Sequence, residues 1–177
     1  NGMEKLIDQI YSEFDASITV TPKSGKTFSE KEIDWKALSS IEGIKTVAKG
    51  REELIVIEYG LPLQEQKDYR IKRTNAKLYA IDPAFLEVIQ LNENFKGEQP
   101  VLNDAQGPLA IMGIGLINKL EASMSAEFSI FIPKKNITVR AKEPFLKKKI
   151  YLSSVLAYQN KQVNEETLLW PLESFRE

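Results

Sequence analysis

Ala76-Lys-Leu-Tyr-Ala-Ile-Asp-Pro-Ala-Phe85, followed by Gly97 and then by Leu109-Ala-Ile-Met-Gly113, is the stretch that decides the fold. Leu78, Tyr79 and Ala80 form a short strand pattern. Asp82 is placed to cap a helix, and Pro83 falls at its first position, where a missing N–H costs nothing. Ala84, Phe85, Val88 and Ile89 give that helix one apolar face. A second short strand, Leu109 to Met112, ends at Gly113-Ile-Gly115 and leads into a helix from Leu116 to Met124. Strand, capped helix, loop, strand and helix predict a mixed fold of the α+β class.

Upstream of this stretch, Met3, Leu6, Ile7, Ile10, Tyr11 and Phe14 recur at helical spacing, with Glu4, Lys5, Asp8 and Gln9 on the other face. This predicts an amphipathic helix beginning almost at the first residue. Ile18 and Val20 alternate with Thr19 and Thr21 as a strand, stopped by Pro22. Ser29 and Glu32 match a capping box, and Phe28 and Ile33 occupy the staple positions, for a helix running to Ile41 with Gly43 beyond its end. Ile44 to Ala48 and Leu54 to Tyr59 read as strands around a Gly50-Arg51 turn. Strand, helix, strand in that order suggests a ferredoxin-like half. Gly60-Leu-Pro62 breaks the pattern. Gln64 to Asn75 is polar and reads as a loop, or as a weak strand around Tyr69 and Ile71, so a subdomain boundary is expected near residue 60.

Downstream, Phe128, Ile130 and Ile132 alternate as a strand ended by Pro133. Ile137 and Val139 suggest a short strand, Pro144 and Phe145 a turn, and Ile150 to Val155 a returning strand. Together these predict a β-hairpin arm. Thr167 to Trp170 is a last strand ended by Pro171, with a helix starting in Leu172 to Arg176.

Composition excludes several chemistries. Among 177 residues there is no Cys and no His. Disulfides, thiol nucleophiles, thiolate metal sites, Ser-His-Asp triads and imidazole zinc ligands are therefore ruled out. A net charge of −1 gives no global field for nucleic acid. No apolar run approaches the roughly 18 residues that a membrane helix needs. Gly113-Ile-Gly115 sits where a dinucleotide fingerprint would place its glycines, but position 118 is Asn, so a tight turn is expected. The acids, among them Asp8, Glu13, Asp15, Glu30, Glu32, Asp34, Glu52, Glu53, Asp82 and Asp104, are scattered and read as solvated faces and caps. No cofactor and no catalytic or metal-binding residue is expected.

One charge cluster stands out. Lys134, Lys135, Arg140, Lys142, Lys147, Lys148 and Lys149 face a single acid, Glu143. Lysines along an exposed strand edge discourage aggregation. The alternative reading is a docking surface for an acidic partner or anionic headgroups.

In order along the chain, these pieces resemble the extracytoplasmic domain of MacB/FtsX-type ABC transporter permeases, most closely the lipoprotein-releasing permeases of Bacteroidetes. The resemblance is carried by Asn1-Gly-Met-Glu4, Phe14-Asp15, Ile18-Thr-Val-Thr-Pro22, Gly25-Lys-Thr-Phe28 and Ile41-Glu-Gly-Ile44. It continues in Ala80-Ile-Asp-Pro-Ala-Phe85, Ile111-Met-Gly113 with Leu116 and Leu120, and Ile130-Phe-Ile-Pro133. It ends in Leu168-Leu-Trp-Pro-Leu172 with Phe175-Arg176-Glu177. Three positions depart from the family pattern: Ala80 stands for Gly, Val155-Leu156 for Gly-(Ile/Val)-Phe, and Asn164 for Asp.

The resemblance implies a MacB-like periplasmic core. Residues 1–60 would form a membrane-proximal strand-helix-strand part, completed by further β/α structure after Glu177. Residues 61–177 would form an inserted, mostly β subdomain with a hairpin arm near 134–149. It implies a location at the periplasmic face of the inner membrane, no catalysis in this domain, and ATP hydrolysis in a separate cytoplasmic subunit or domain. The implied partners are a periplasmic lipoprotein carrier, a second permease subunit, the ATPase and lipoprotein cargo, with no nucleic acid. Carrier docking would fall on Lys134, Lys135, Arg140, Lys142, Pro144, Lys147, Lys148 and Lys149. The alternatives are a MacB-like efflux or export permease, a small carboxylate enzyme, and a free-standing binding protein.

Overall fold

The computed structural model describes residues 14–62, 69–134 and 143–175. Its centre is a mixed eight-stranded sheet. In chain order the strands are β1 (Gly50–Pro62), β2 (Tyr69–Ile81), β3 (Phe95–Lys96), β4 (Asn103–Asp104), β5 (Gly107–Pro108) and β6 (Ala110–Gly113). They continue as β7 (Phe128–Pro133), β8 (Phe145–Ile150), β9 (Leu152–Leu156) and β10 (Thr167–Pro171). The spatial order is β3-β9-β6-β10-β2-β1-β7-β8, and β4 and β5 pair separately. The α-helices among the described residues are α1 (Trp35–Ser39), α2 (Ala84–Val88), α3 (Ile114–Leu120) and α4 (Lys161–Glu166). The mixed α and β composition agrees with the expected α+β class.

Apolar spacing explains which strands lie deep. Ala110-Ile-Met112 and Leu168-Leu-Trp170 are unbroken apolar runs, and both are buried throughout. Ala110, Met112, Leu168 and Trp170 enter one core with Ile55, Ile57, Leu78, Phe128, Ile130 and α3. Ile111 and Leu169 enter the other, with Ile81, Ile89, Leu91, Leu156 and Tyr158. Strands covered on both faces need such runs. In β7 the alternation of Phe128, Ile130 and Ile132 marks a strand covered on one face only.

Several sequence expectations are corrected. Ile18 to Val20 is not a strand: among the described residues no neighbour pairs with it, and Ile18 and Val20 stay 71% and 60% exposed. Ile44 to Ala48 is not a strand either. Gly50 does not turn the chain but opens β1, paired with Ile81. The ferredoxin-like half is therefore replaced by an antiparallel β1–β2 hairpin of thirteen paired positions. The boundary expected near residue 60 lies inside β1, whose pairing with β2 runs through it. β2 begins at Tyr69, where a loop or a weak strand was expected. Charge pairs hold its polar outer half: Arg73 meets Glu58 across the hairpin at 2.8 Å, and Lys72 meets Glu121 at 2.6 Å.

The helix expected from Ser29 to Ile41 is two pieces. Ser29 caps a short 3-10 turn, Glu30–Glu32, through Lys31 N rather than Glu32. Ile33 is extended, and Asp34 Oδ1 accepts from Ala37 N at 2.9 Å to start α1. Asp82 does not cap α2. Its Oδ2 accepts from Lys49 N at 2.8 Å, and its own N–H donates to Lys49 O at 3.1 Å, tying the approach to β1 against the end of β2. Pro83 takes the cap position instead. α3 starts at Ile114 and stops at Glu121, which adopts a left-handed φ of 54°, short of the expected Met124. The expected helix over residues 3–14, apart from Phe14, and the expected strand at Ile137 and Val139 lie outside the described residues.

Gly113 and Gly115 explain how α4 crosses the end of β6. A Cβ on Gly113 would stand 2.1 Å from Asn164 O, and one on Gly115 2.5 Å from Glu165 Cγ. Gly113 itself has an ordinary extended backbone (φ −60°, ψ 137°), so the requirement is space alone. Gly113→Ala should destabilise the fold by about 2–3 kcal/mol in urea unfolding, because backbone rather than a mobile side chain must yield. At Gly50 the nearest atom would be 3.6 Å away, so Gly50→Ala should stay within about 0.5 kcal/mol.

Candidate functional site

Lys147, Lys148 and Lys149 of the cationic segment fall on β8, the outermost strand at one end of the sheet. The β7–β8 hairpin runs in register from Phe128 opposite Ile150 to Pro133 opposite Phe145. Alternation then divides the lysines. Leu146, Lys148 and Ile150 share the face of the buried Phe128, Ile130 and Ile132. Phe145, Lys147 and Lys149 share the opposite face, beside Ser129, Phe131 and Pro133.

Lys148 is therefore a structural residue. Its Nζ lies 5.6 Å from the centroid of the buried Trp170 ring and donates to Ser174 O at 3.2 Å. Its long stem lets a charged residue sit on a core-facing position. Lys147 and Lys149 are exposed. Lys149 pairs with Glu127 at 2.7 Å, and Tyr151 OH donates to the same carboxylate. Those two hydrogen bonds hold the Glu127 carboxyl below its usual range. Lys147 lies over the Phe131 ring at 5.2 Å, and its nearest acid, Glu58, is 3.9 Å away and already engaged by Arg73. Of the two outward lysines, Lys147 thus carries the less neutralised charge. Phe145 opens β8 rather than lying in a turn, and the return strand is β8 itself, since β9 lies toward the other end of the sheet. Just before it Pro144 O accepts from Lys134 N at 3.0 Å, and Phe145 is 44% exposed. Lys135, Arg140 and Lys142 lie outside the described residues.

This face extends inward along the sheet. Val56 of β1 stands opposite Phe131, and Leu54, 65% exposed, lies two residues further along β1. Leu54, Val56, Phe131 and Phe145 with Lys147, Lys149, Glu58 and Arg73 make a mixed apolar and charged sheet surface.

On the same face of β2, Tyr79 receives Phe14. The Phe14 ring meets Tyr79 and Tyr158 edge-on, with centroids 5.4 and 5.5 Å apart. Tyr158 OH donates to Ile89 O at 2.7 Å, and Asn164 grips the Tyr158 backbone from both sides: Asn164 Oδ1 accepts from Tyr158 N at 2.9 Å and Asn164 Nδ2 donates to Tyr158 O at 2.7 Å. An Asp at 164 has no N–H to donate, which explains why Asn serves here. Phe14 thus packs edge-on against an aromatic pair.

The Gly113-Ile-Gly115 turn brings no ligand chemistry, since α4 fills the space that a phosphate would need. α4 itself escaped the sequence reading. Its signal was Asn160, whose Oδ1 accepts from Gln162 N at 3.0 Å and Val163 N at 3.4 Å, but six residues are too few for a periodic pattern. A second feature that was missed is the clip at the start of β1. Glu53, 6% exposed, takes Arg51 at 2.7 Å and Lys26 at 3.5 Å, while the Arg51 guanidinium lies 4.1 Å from the Phe175 ring centroid. Among the described residues no helix is long and apolar enough to cross a membrane.

No family model matches this sequence, and no curated protein is detectably similar to it.

Burial, reinforced by the neighbouring carboxylates of Glu52, Asp15 and Glu166, pushes the Tyr79 phenol up to about 12. Because the folded value lies above the unfolded one, this contribution to stability is complete below pH 10 and is lost between about pH 10 and 12. The melting temperature of the chain should fall through that window, and the fall should be shallower in Tyr79→Phe. Parallel curves for the two proteins would contradict the assignment.

Proposed function

We propose that this chain is a non-catalytic periplasmic domain of an ABC transporter permease, acting in the release of lipoproteins from the inner membrane to a periplasmic carrier. The ordered sequence resemblance supports this reading. The observation that carries it is the β7–β8 hairpin, which sets Lys147 and Lys149 on the outward face of a sheet-edge strand, with Pro144 and Phe145 where that strand begins, in the stretch where the resemblance implies carrier docking. Lys147 and Lys149 would raise the encounter rate with an acidic carrier surface and fix its orientation. The Phe145 ring would add apolar contact.

Phe14 supplies the second part of the mechanism. In this proposal the expected helix over residues 3–14 continues from a membrane helix. Nucleotide binding by the cytoplasmic ATPase shifts that helix, and the Phe14–Tyr79–Tyr158 contact passes the shift to the sheet as a rigid-body displacement. A mixed sheet covered on both faces around Tyr79 moves as a unit rather than bending, so the arm at its far edge moves with it.

Calorimetric titration of the chain with the lipoprotein carrier of the same organism, at low and moderate salt, tests this. Binding should weaken with salt and fall about tenfold or more in the double variant Lys147→Glu, Lys149→Glu. Lys148 is kept, because it supports the core. Absence of binding at high protein concentration in low salt would remove the carrier-docking role and favour an efflux permease. Binding that ignores both salt and the two substitutions would move the docking site away from the arm.

A further inference from the structure

The hydrogen-bond phase of β8 shows what its outer edge offers. Lys134 N donates to Pro144 O, so these two residues form a hydrogen-bonded pair in the β7–β8 ladder. Bonded and non-bonded pairs alternate along an antiparallel ladder. Ile132 with Leu146, Ile130 with Lys148 and Phe128 with Ile150 are then the bonded pairs that follow. Leu146, Lys148 and Ile150 spend their backbone groups on β7. Phe145, Lys147 and Lys149 turn their N–H and C=O groups outward, and among the described residues no strand pairs with that side.

We propose that the β8 edge receives one extended strand from an acidic partner, added antiparallel to β8, with an acid-x-acid-x-apolar pattern. Residues opposite Phe145, Lys147 and Lys149 in such a strand place their side chains on the same sheet face as those three. Read from its N-terminus, the incoming strand sets one acid against Lys149, a second against Lys147 and an apolar side chain against Phe145. Three paired positions with outward N–H and C=O groups supply the main-chain bonds, as in other strand-addition complexes.

Charge selects among the possible occupants. A second copy pairing edge to edge about Lys147 would set that lysine against its own copy, and like charges directly opposite are destabilising. A neutral strand gains the backbone bonds but leaves Lys147, among the described residues, with only the distant, shared Glu58. An acidic strand satisfies both. Lys149 already holds Glu127 at 2.7 Å, so the acid opposite Lys147 contributes more than the acid opposite Lys149. This inference concerns the strand edge itself and holds whether or not the domain belongs to a permease.

The probe is the acetylated, amidated heptapeptide Thr-Glu-Thr-Glu-Thr-Phe-Thr, titrated into the nitrogen-15-labelled chain and followed by amide shifts and hydrogen exchange. The amides of Phe145, Lys147 and Lys149 should shift and gain protection. N-methylation of the central Glu, whose N–H faces β8, should abolish binding. N-methylation of the Thr after it, whose N–H faces away, should change affinity by no more than about twofold. Lys147→Glu should weaken binding about tenfold, and more than Lys149→Glu does, with an unchanged circular dichroism spectrum for both variants. The proposal is overturned by a peptide that does not bind, by equal effects of the two methylations, or by shifts that leave β8 untouched. A failed carrier titration alongside these expected results would sink the transport reading alone.

Discussion

The placement of β10 between β2 and β6 is the constraint on which the rest of this structure depends. β10 is the last strand among the described residues, and it sits in the interior of the sheet. On one side of it lie β6, β9 and β3; on the other lie β2, β1, β7 and β8. Leu168 and Leu169 pair with Met112 and Ile111, while Thr167 to Pro171 run parallel to Lys77 to Ile81. Only an apolar run can occupy that slot, because Leu168 and Trp170 enter one core and Leu169 the other. The pairing closes a long stretch of sequence, so it forms at high loop entropy and is recovered only by burial on both faces.

Burial then divides the sheet into two regimes. Around β10 both faces are covered, by α3 on one side and by α2 with the Tyr158 region on the other. Beyond β2 only the face of Ile55, Phe128 and Ile130 is covered. The opposite face of β1, β7 and β8 keeps Leu54, Val56, Phe131 and the two outward lysines at the surface. Exposed β-strand surface needs charge to remain specific, and here the charge lies at the outermost strand. The region that holds the fold together and the exposed charged face are thus parts of one sheet, linked through β1 and β2.

What was legible in the sequence followed from burial. The runs at Ala110 and Leu168, the alternation at Phe128 and the turn-forming prolines predicted β6, β10 and β7 at nearly their observed limits. What was not legible depended on partners distant in the chain. The threonine-rich piece at Ile18 has strand chemistry but no strand beside it. The polar piece from Tyr69 has weak strand chemistry yet becomes half of the longest hairpin, because Glu58 and Glu121 lie opposite its cations. Asp82 has cap chemistry, but the approach of Lys49 claims its carboxylate first. Of the candidate site, the cationic character of the arm was readable. The division of Lys147 and Lys149 from Lys148 needed the register, since a shift of one residue would exchange the two faces.

That register also relates the two interpretations of the lysines. An edge guarded by charge and an edge that selects a partner by charge are often treated as alternatives. On β8 they are the same physical statement. Phe145, Lys147 and Lys149 carry the outward backbone groups, and they also carry the side chains that any added strand must face. Repulsion of a second copy and attraction of an acidic strand come from one pair of Nζ atoms at one register. Removing their charge would weaken both effects together, because the discrimination is a difference between two pairing energies measured at the same edge.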